Sequence, residues 1–233
     1  MKRLLVSYLL AIIAIILIVG CENPSEPEDD NFVFYGQIIN KQGKPVQGAK
    51  IHYKSELKEK LLKGSNKICP STLISFVIPK ETHAEVKVYR WYSREYLFTL
   101  VNDNLKSGYY SYSSLPMNLT NGFYTYELTT EDTVYENIMY LQTVDWRILA
   151  QTDPLAITNS EGKFEIAIGV FGFDVEMKNY GYSGTSEPIT MSISRTIEIV
   201  IYEGDETLPS LVKETTIEKN KNINKTFTIN TTL

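Results

Sequence analysis

The sequence predicts an all-β protein built as two β-sandwiches. Three observations lead there. Apolar and polar residues alternate with a period of two in segment after segment, rich in β-branched and aromatic types. Sixteen tyrosines suit strand faces that are half buried, with the ring packed and the hydroxyl wet. Gly, Pro and Asn turns separate the segments, and 233 residues suffice for one large or two small domains. One short helix candidate stands against this pattern, SELKEKLLKG at residues 55–64.

The first element is not part of the fold. Met1-Lys2-Arg3 is a basic start, and Leu4 to Val19 is apolar except for Ser7 and Tyr8. That is the layout of a secretory signal. The run of about 16 residues is shorter than the ~20 a spanning helix needs. Ile18-Val19-Gly20-Cys21 resembles the lipobox of bacterial lipoproteins. The resemblance implies cleavage after residue 20 and lipid on Cys21, whose thiolate is a strong nucleophile. Several acyl chains then anchor the protein to a membrane where one would be marginal. Residues 21–31 read as an acidic tether, since Glu22 to Asp30 holds two prolines, five carboxylates and no large apolar side chain. Acidic residues just after such a cysteine also resemble a surface-export signal of some bacteria. The expected location is the bacterial cell envelope, at the outer membrane.

Removing residues 1–20 leaves 21 basic against 28 acidic residues, a net charge of −7. An acidic chain without a basic cluster excludes nucleic acid as a partner, because phosphate neutralisation supplies most of that affinity. The second cysteine, Cys69, has no partner for an intramolecular disulfide if Cys21 is lipidated, and reads as a small packed hydrophobe.

Strand signals then follow one another. In YGQIINKQGKPVQGAKIHY, residues 35–53, a strand ends near Ile39. Gly43 gives a permissive turn position, Pro45 fixes φ, and Gly48-Ala49 permit close packing as the next strand begins. Asn40, Gly43, Pro45, Val46, Gly48, Ala49 and Ile51 resemble the opening motif of the carboxypeptidase regulatory-like domain, a transthyretin-like sandwich. The second motif of that family, expected a short way on, arrives about a hundred residues later. It is TNSEGKFEI at 158–166, followed by VEMKNYGYS at 175–183. The resemblance implies a host sandwich of residues 32–59 and 144–233, interrupted by an insertion.

The insertion, residues 60–143, carries its own strands. Ile74, Phe76 and Ile78 align on one face, as do Ala84, Val86 and Val88, and Tyr124, Tyr126 and Leu128. PSTLISFVIPKETHAEVKVY, REYLFTLVNDNLKSGYY and LTNGFYTYEL resemble the Ig-like module of flagellar hook-capping proteins and the C-terminal sorting domain of type IX secretion cargo. The turn after the tyrosine strand departs from that family, with Arg90 and Ser93 where Asp and Gly are usual. The module is also internal, so it implies a binding or structural unit and not an export tag. Loops accept long insertions at small entropic cost when the inserted ends lie close together.

Catalytic chemistry has little to build on. His52 and His83 are the two histidines, each in or beside a strand, and both read as surface or edge residues. Zinc needs three or four ligands, and neither H-E-x-x-H nor paired-cysteine spacing occurs. Walker, Rossmann and G-x-S-x-G patterns are absent. Glu127, Glu131 and Asp132 cluster near a strand end and read as a solvated turn, although paired carboxylates leave a hydrolase as the alternative enzyme class. Asn159, Ser160 and Glu161 offer too few oxygens for calcium. No cofactor and no metal are expected. The candidate partner-binding residues are Trp91 and Tyr92, in a predicted turn and flanked by Arg90 and Arg94. They either stack on a glycan or anchor an envelope protein, or else they cover the junction with the host sandwich. The expected function is non-enzymatic binding or scaffolding, with a glycan-binding accessory role as the alternative.

Overall fold

The computed structural model describes residues 32–59, 74–112, 118–143, 145–173, 175, 177–179, 189–218 and 220–230. The signal segment, the tether, Cys21 and Cys69 lie outside the described residues. In chain order the strands are β1 (Val33–Asn40), β2 (Lys50–Glu59), β3 (Ile74–Ile78), β4 (Thr82–Arg90), β5 (Tyr96–Leu105), β6 (Gly108–Tyr112), β7 (Gly122–Thr130) and β8 (Val134–Leu141). A one-turn helix α1 (Trp146–Leu149) follows. Then come β9 (Ala156–Ile157), β10 (Lys163–Ala167), a 3-10 turn (Ile168–Phe171), β11 (Met177–Asn179), β12 (Ile189–Tyr202), β13 (Leu211–Thr216) and β14 (Ile223–Ile229).

The protein is all-β, and its described strands form four sheets. One has the order β10-β1-β14; another has β11-β12-β2-β9, with β13 also paired to β12. Between them lies a core that includes Phe34, Ile38, Ile51, Tyr53, Phe164, Ile199, Ile201 and Phe227. The other two sheets, β3-β6 and β5-β4-β7-β8, enclose a second core with Ile74, Phe76, Ile78, Val86, Val88, Tyr124, Tyr126 and Leu128. All the strands of the second sandwich fall in the chain between β2 and β9 of the first.

Alternation explains most of this. In β1, Phe34, Gly36, Ile38 and Asn40 are buried and their neighbours half exposed. Phe34 meets Phe164 edge-on at 5.6 Å and Phe227 at 6.4 Å. Gly36 has to be glycine, because a Cβ there would lie 2.0 Å from the Phe164 ring.

Two segments a hundred residues apart clasp each other in the first sandwich. The Thr158 hydroxyl accepts from Ala49 N–H (2.9 Å) and donates to the Val46 carbonyl (2.7 Å). Gly48 N–H donates to Thr158 O, Thr158 N–H to Ala49 O, and Ile38 N–H to Gly162 O. Gly162 holds φ +69°, and a Cβ on it would sit 2.4 Å from Ile38 O. Asn40 and Asn159 shape the two turns alike, each side-chain oxygen accepting two backbone N–H groups, from Gln42 and Lys44 and from Glu161 and Lys163.

Two expectations need correction. The helix candidate at 55–64 is strand as far as Glu59, and residues 60–64 lie outside the described residues. Residues Lys50 to Glu59 pair antiparallel with β12 across a bulge, so the ladder pairing overrides a helical preference worth only tenths of a kcal/mol per residue. His52 is not a surface or edge residue but buried, at 1% exposure. The α1 segment covers the outer face of β2 and β12, where Leu149, Val200 and Tyr202 form a small third cluster with Trp146. Tyr202 donates to the Trp146 carbonyl (2.8 Å), and Lys54 Nζ lies 3.2 Å from the centroid of the Trp146 ring. His52 packs edge-on against Tyr202 at 5.4 Å, with Nδ1 3.3 Å from the Thr152 hydroxyl. That hydroxyl donates to Leu149 O, so Nδ1 is the donor toward it and Nε2 is a buried acceptor without a partner. His83 is exposed on β4 beside Asn104.

Two predictions follow from these contacts. Thr158→Val removes two buried hydrogen bonds and costs about 1–3 kcal/mol in chemical denaturation, whereas Thr158→Ser retains most of the stability. Burial, with Lys50 as a second cause, pushes His52 down to about 4. The unfolded ring titrates near 6.5 and binds the proton first. Stability is therefore full above pH 6.5 and falls as pH drops toward 4, by up to roughly 3 kcal/mol. A His52→Leu variant flattens that limb of the stability–pH curve.

Candidate binding surface on the four-stranded sheet

The segment that carries the candidate residues is the β4–β5 hairpin loop, Trp91 to Glu95. It is closed by Arg90 N–H donating to Glu95 O and Arg94 N–H donating to Arg90 O, both at 2.9 Å. Such a loop returns to the strand through a left-handed residue, a place that favours glycine. Here Arg94 fills it, with φ +57°. For a side-chain-bearing residue this conformation costs about 1–2 kcal/mol.

The outer face of β5-β4-β7-β8 is ordered in cross-strand rows. One row is Lys87, Glu127 and Glu136; the next is Tyr89, Thr125 and Ile138; the last pairs Phe123 with Tyr140. The face changes character along these rows. Phe123 and Tyr140 are buried members of the first sandwich's core, and Ile138 and Trp91 pack against that core. Glu127 and Glu136 remain toward solvent. The outer face of the second sandwich is therefore half interface and half open surface.

The structure does not bring the four sequence-predicted residues to one surface. Trp91 and Tyr92 are half buried at the junction of the two cores, with Trp91 5.9 Å from the Phe123 ring. Gly169 in the 3-10 turn and Gly172, which caps it, act as notches. A Cβ on Gly169 would lie 2.4 Å from the Tyr92 ring, and one on Gly172 would lie 2.5 Å from the Phe123 ring. Arg90 sits opposite Tyr124, on the core-facing side of β4, and its Nε pairs with Glu95 at 2.9 Å. Arg94 turns to the open half of the outer face. It bonds Glu136 at 2.5 Å, and its guanidinium lies 5.7 Å from the Tyr89 ring. The hydrogen bond to Glu136 is the main cause raising its pKa further.

Around Arg94 the open half carries a second aromatic that sequence reasoning missed. Tyr96 is 52% exposed, edge-on to Tyr89 at 5.9 Å, and its hydroxyl shares a 3.0 Å hydrogen bond with Thr99. Its only sequence signal is the tyrosine spacing, for Tyr89 and Tyr96 are brought face to edge by the hairpin. Lys87 pairs with Glu85 at 2.8 Å. The result is a row of fixed donors and acceptors beside an exposed ring, all on strands or on a closed hairpin.

Three of the other weighed positions, Asp132, Asn159 and Glu161, make local bonds. Asp132, in the turn between β7 and β8, pairs with Lys80 at 2.6 Å. Asn159 spends its side-chain oxygen on backbone N–H groups, and Glu161 pairs with Lys163. Among the described residues no group of three or more His, Cys, Asp and Glu is placed to hold a metal ion. No protein-family model, curated protein or solved structure matches the chain.

The two halves of the face predict opposite mutational behaviour. Trp91→Ala with Tyr92→Ala opens the junction and lowers the free energy of unfolding by about 3 kcal/mol or more. In Arg94→Gly, relief of the left-handed backbone offsets an exposed ion pair worth about 0–1 kcal/mol. Its stability in a urea titration stays within about 1 kcal/mol of the parent.

Proposed function

We propose that this chain is a lipid-anchored protein of the bacterial cell envelope, at the outer membrane, with a non-enzymatic binding or scaffolding role. The anchor is lipid on Cys21, and the acidic tether of residues 21–31 holds the sandwiches off the membrane. The first sandwich is read as carboxypeptidase regulatory-like and the second as an inserted Ig-like module. The clasp of 45–49 with 158–162 supports that reading, because it joins the two halves of one motif set across the insertion.

One observation carries the binding role. Arg94 is kept in a left-handed conformation that glycine would fill without strain, and its side chain is spent on an open surface between Glu136 and Tyr89. Local strain of this kind is held at sites where the side chain serves something other than stability. The surface is rigid, since its residues are held by strands and cross-strand pairs.

The test is protease shaving of intact cells, with fragments identified by mass spectrometry. The retained peptide is expected to begin at a lipidated Cys21. Release of the sandwiches from intact cells places the binding face outside; release only after the outer membrane is opened places it in the periplasm. A retained peptide that still contains residues 1–20 overturns the anchor.

A further inference from the structure

From the open half of this face we infer its ligand: a neutral glycan chain, stacked on Tyr96 and hydrogen-bonded by the Arg94–Glu136 pair and Glu127. This rests on the binding role proposed above and names the partner's chemistry.

Tyr96 stands at an edge strand with half its surface open, yet it is not free to swing. Tyr89 supports it from the side, and the Thr99 hydroxyl holds its tip. A fixed, exposed aromatic plate matches the apolar C–H face of a pyranose ring, which has flat hydrophobic area but no charge. Little rotamer entropy is lost on binding, because the ring is already placed.

The polar groups on the same face alternate in kind. Arg94 and Lys87 are pure donors, and the ionised carboxylates of Glu127, Glu136 and Glu85 are pure acceptors. Glu127 and Glu136 are directly opposed across β7 and β8, with Lys87 beside Glu127 and Arg94 on Glu136. A sugar hydroxyl is both donor and acceptor, and neighbouring hydroxyls need alternating partners of this sort. A neutral, hydroxyl-rich polymer satisfies them without breaking the ion pairs.

Charge decides against other occupants. Three carboxylates, Glu85, Glu127 and Glu136, face two cations, Lys87 and Arg94, and each cation already contacts a carboxylate. Phosphate, sulfate and uronate polymers therefore meet a slightly negative surface on a chain whose net charge is −7 once residues 1–20 are removed. A protein hot spot usually centres on a desolvated aromatic anchor ringed by apolar contacts. Here the aromatics suited to that, Trp91 and Tyr92, are already committed to the junction.

The experiment is affinity electrophoresis of the mature lipidated chain in detergent. Native gels are cast with glucan, mannan or xylan, and, for comparison, with polygalacturonate. Retardation by at least one neutral polymer is expected, together with none by the acidic one. Tyr96→Ala and Glu136→Gln each weaken that retardation at least tenfold, while Tyr109→Ala, an exposed tyrosine on β6, leaves it unchanged. Arg94→Gly weakens binding at unaltered stability, which separates a contact role from a folding role. Preference for polygalacturonate, or neutral-polymer binding indifferent to Tyr96→Ala, overturns the inference. If no polymer retards the chain but an envelope protein crosslinks to it through a Tyr96-dependent contact, the glycan is overturned and the binding role stands. If no envelope component depends on Tyr96, both fall.

Discussion

The structure depends on the clasp between residues 45–49 and 158–162. Backbone and hydroxyl hydrogen bonds close it, centred on Thr158, and Gly162 permits it by bringing its backbone against Ile38 O. With the clasp shut, β10 lies on one side of β1 and β9 on one side of β2, so both sheets of the first sandwich are completed by chain that returns after β8. The clasp also fixes where the intervening hundred residues leave and re-enter. Asn121 reinforces that point, donating to Tyr53 O at 2.8 Å and accepting from Thr143 N–H at 2.7 Å. Closing so long a loop costs only slightly more entropy than closing a short one. A few well-placed hydrogen bonds, backed by core burial on both sides, are sufficient to hold it.

From this follows the unequal use of the four-stranded sheet. The clasp sets the second sandwich beside the 3-10 turn, where Gly169 and Gly172 leave room for the Tyr92 and Phe123 rings. Aromatic rings seated in backbone notches resist sliding, because any shift drives a ring into main chain. Among the described residues nothing covers the same face beyond Tyr89 in this way, and Arg94, Glu136 and Tyr96 lie there. Junction and open surface are thus neighbours on one rigid sheet, and the hairpin loop contributes to both. Trp91 and Tyr92 hold the loop, and Arg94 projects from it.

The outer face of the first sandwich obeys the same logic with different chemistry. α1 closes over β2 and β12 through Leu149 and through the Tyr202–Trp146 and Lys54–Trp146 contacts. His52 is buried beneath it as a neutral ring. Strands covered on both faces lose their simple alternation, which is why Val200 and Tyr202 are buried as well as Ile199 and Ile201.

Much of the β-structure was legible in the residues because period two is a local property. Ile74, Phe76 and Ile78, or Ala84, Val86 and Val88, share a face in any extended chain, and both sets are in fact buried. Turn chemistry was legible in part for the same reason: Gly43, read as a permissive turn position, holds φ +75°, whereas Gly48, read as permitting close packing, instead holds φ +76° with open space where a Cβ would lie. What the residues could not carry were the distant partners. SELKE reads as helix until β12 is laid beside it, and His52 reads as exposed until α1 covers it. The four candidate residues lie together in the stretch RWYSR, but a strand sends alternate side chains to opposite faces and a hairpin reverses direction, so Arg90, Trp91 and Arg94 end in three environments. Sequence by itself determined strand, turn and charge, because those depend on neighbours a few residues away. Only the tertiary structure decided which face is core, junction or open surface, because burial is conferred by chain a hundred residues distant.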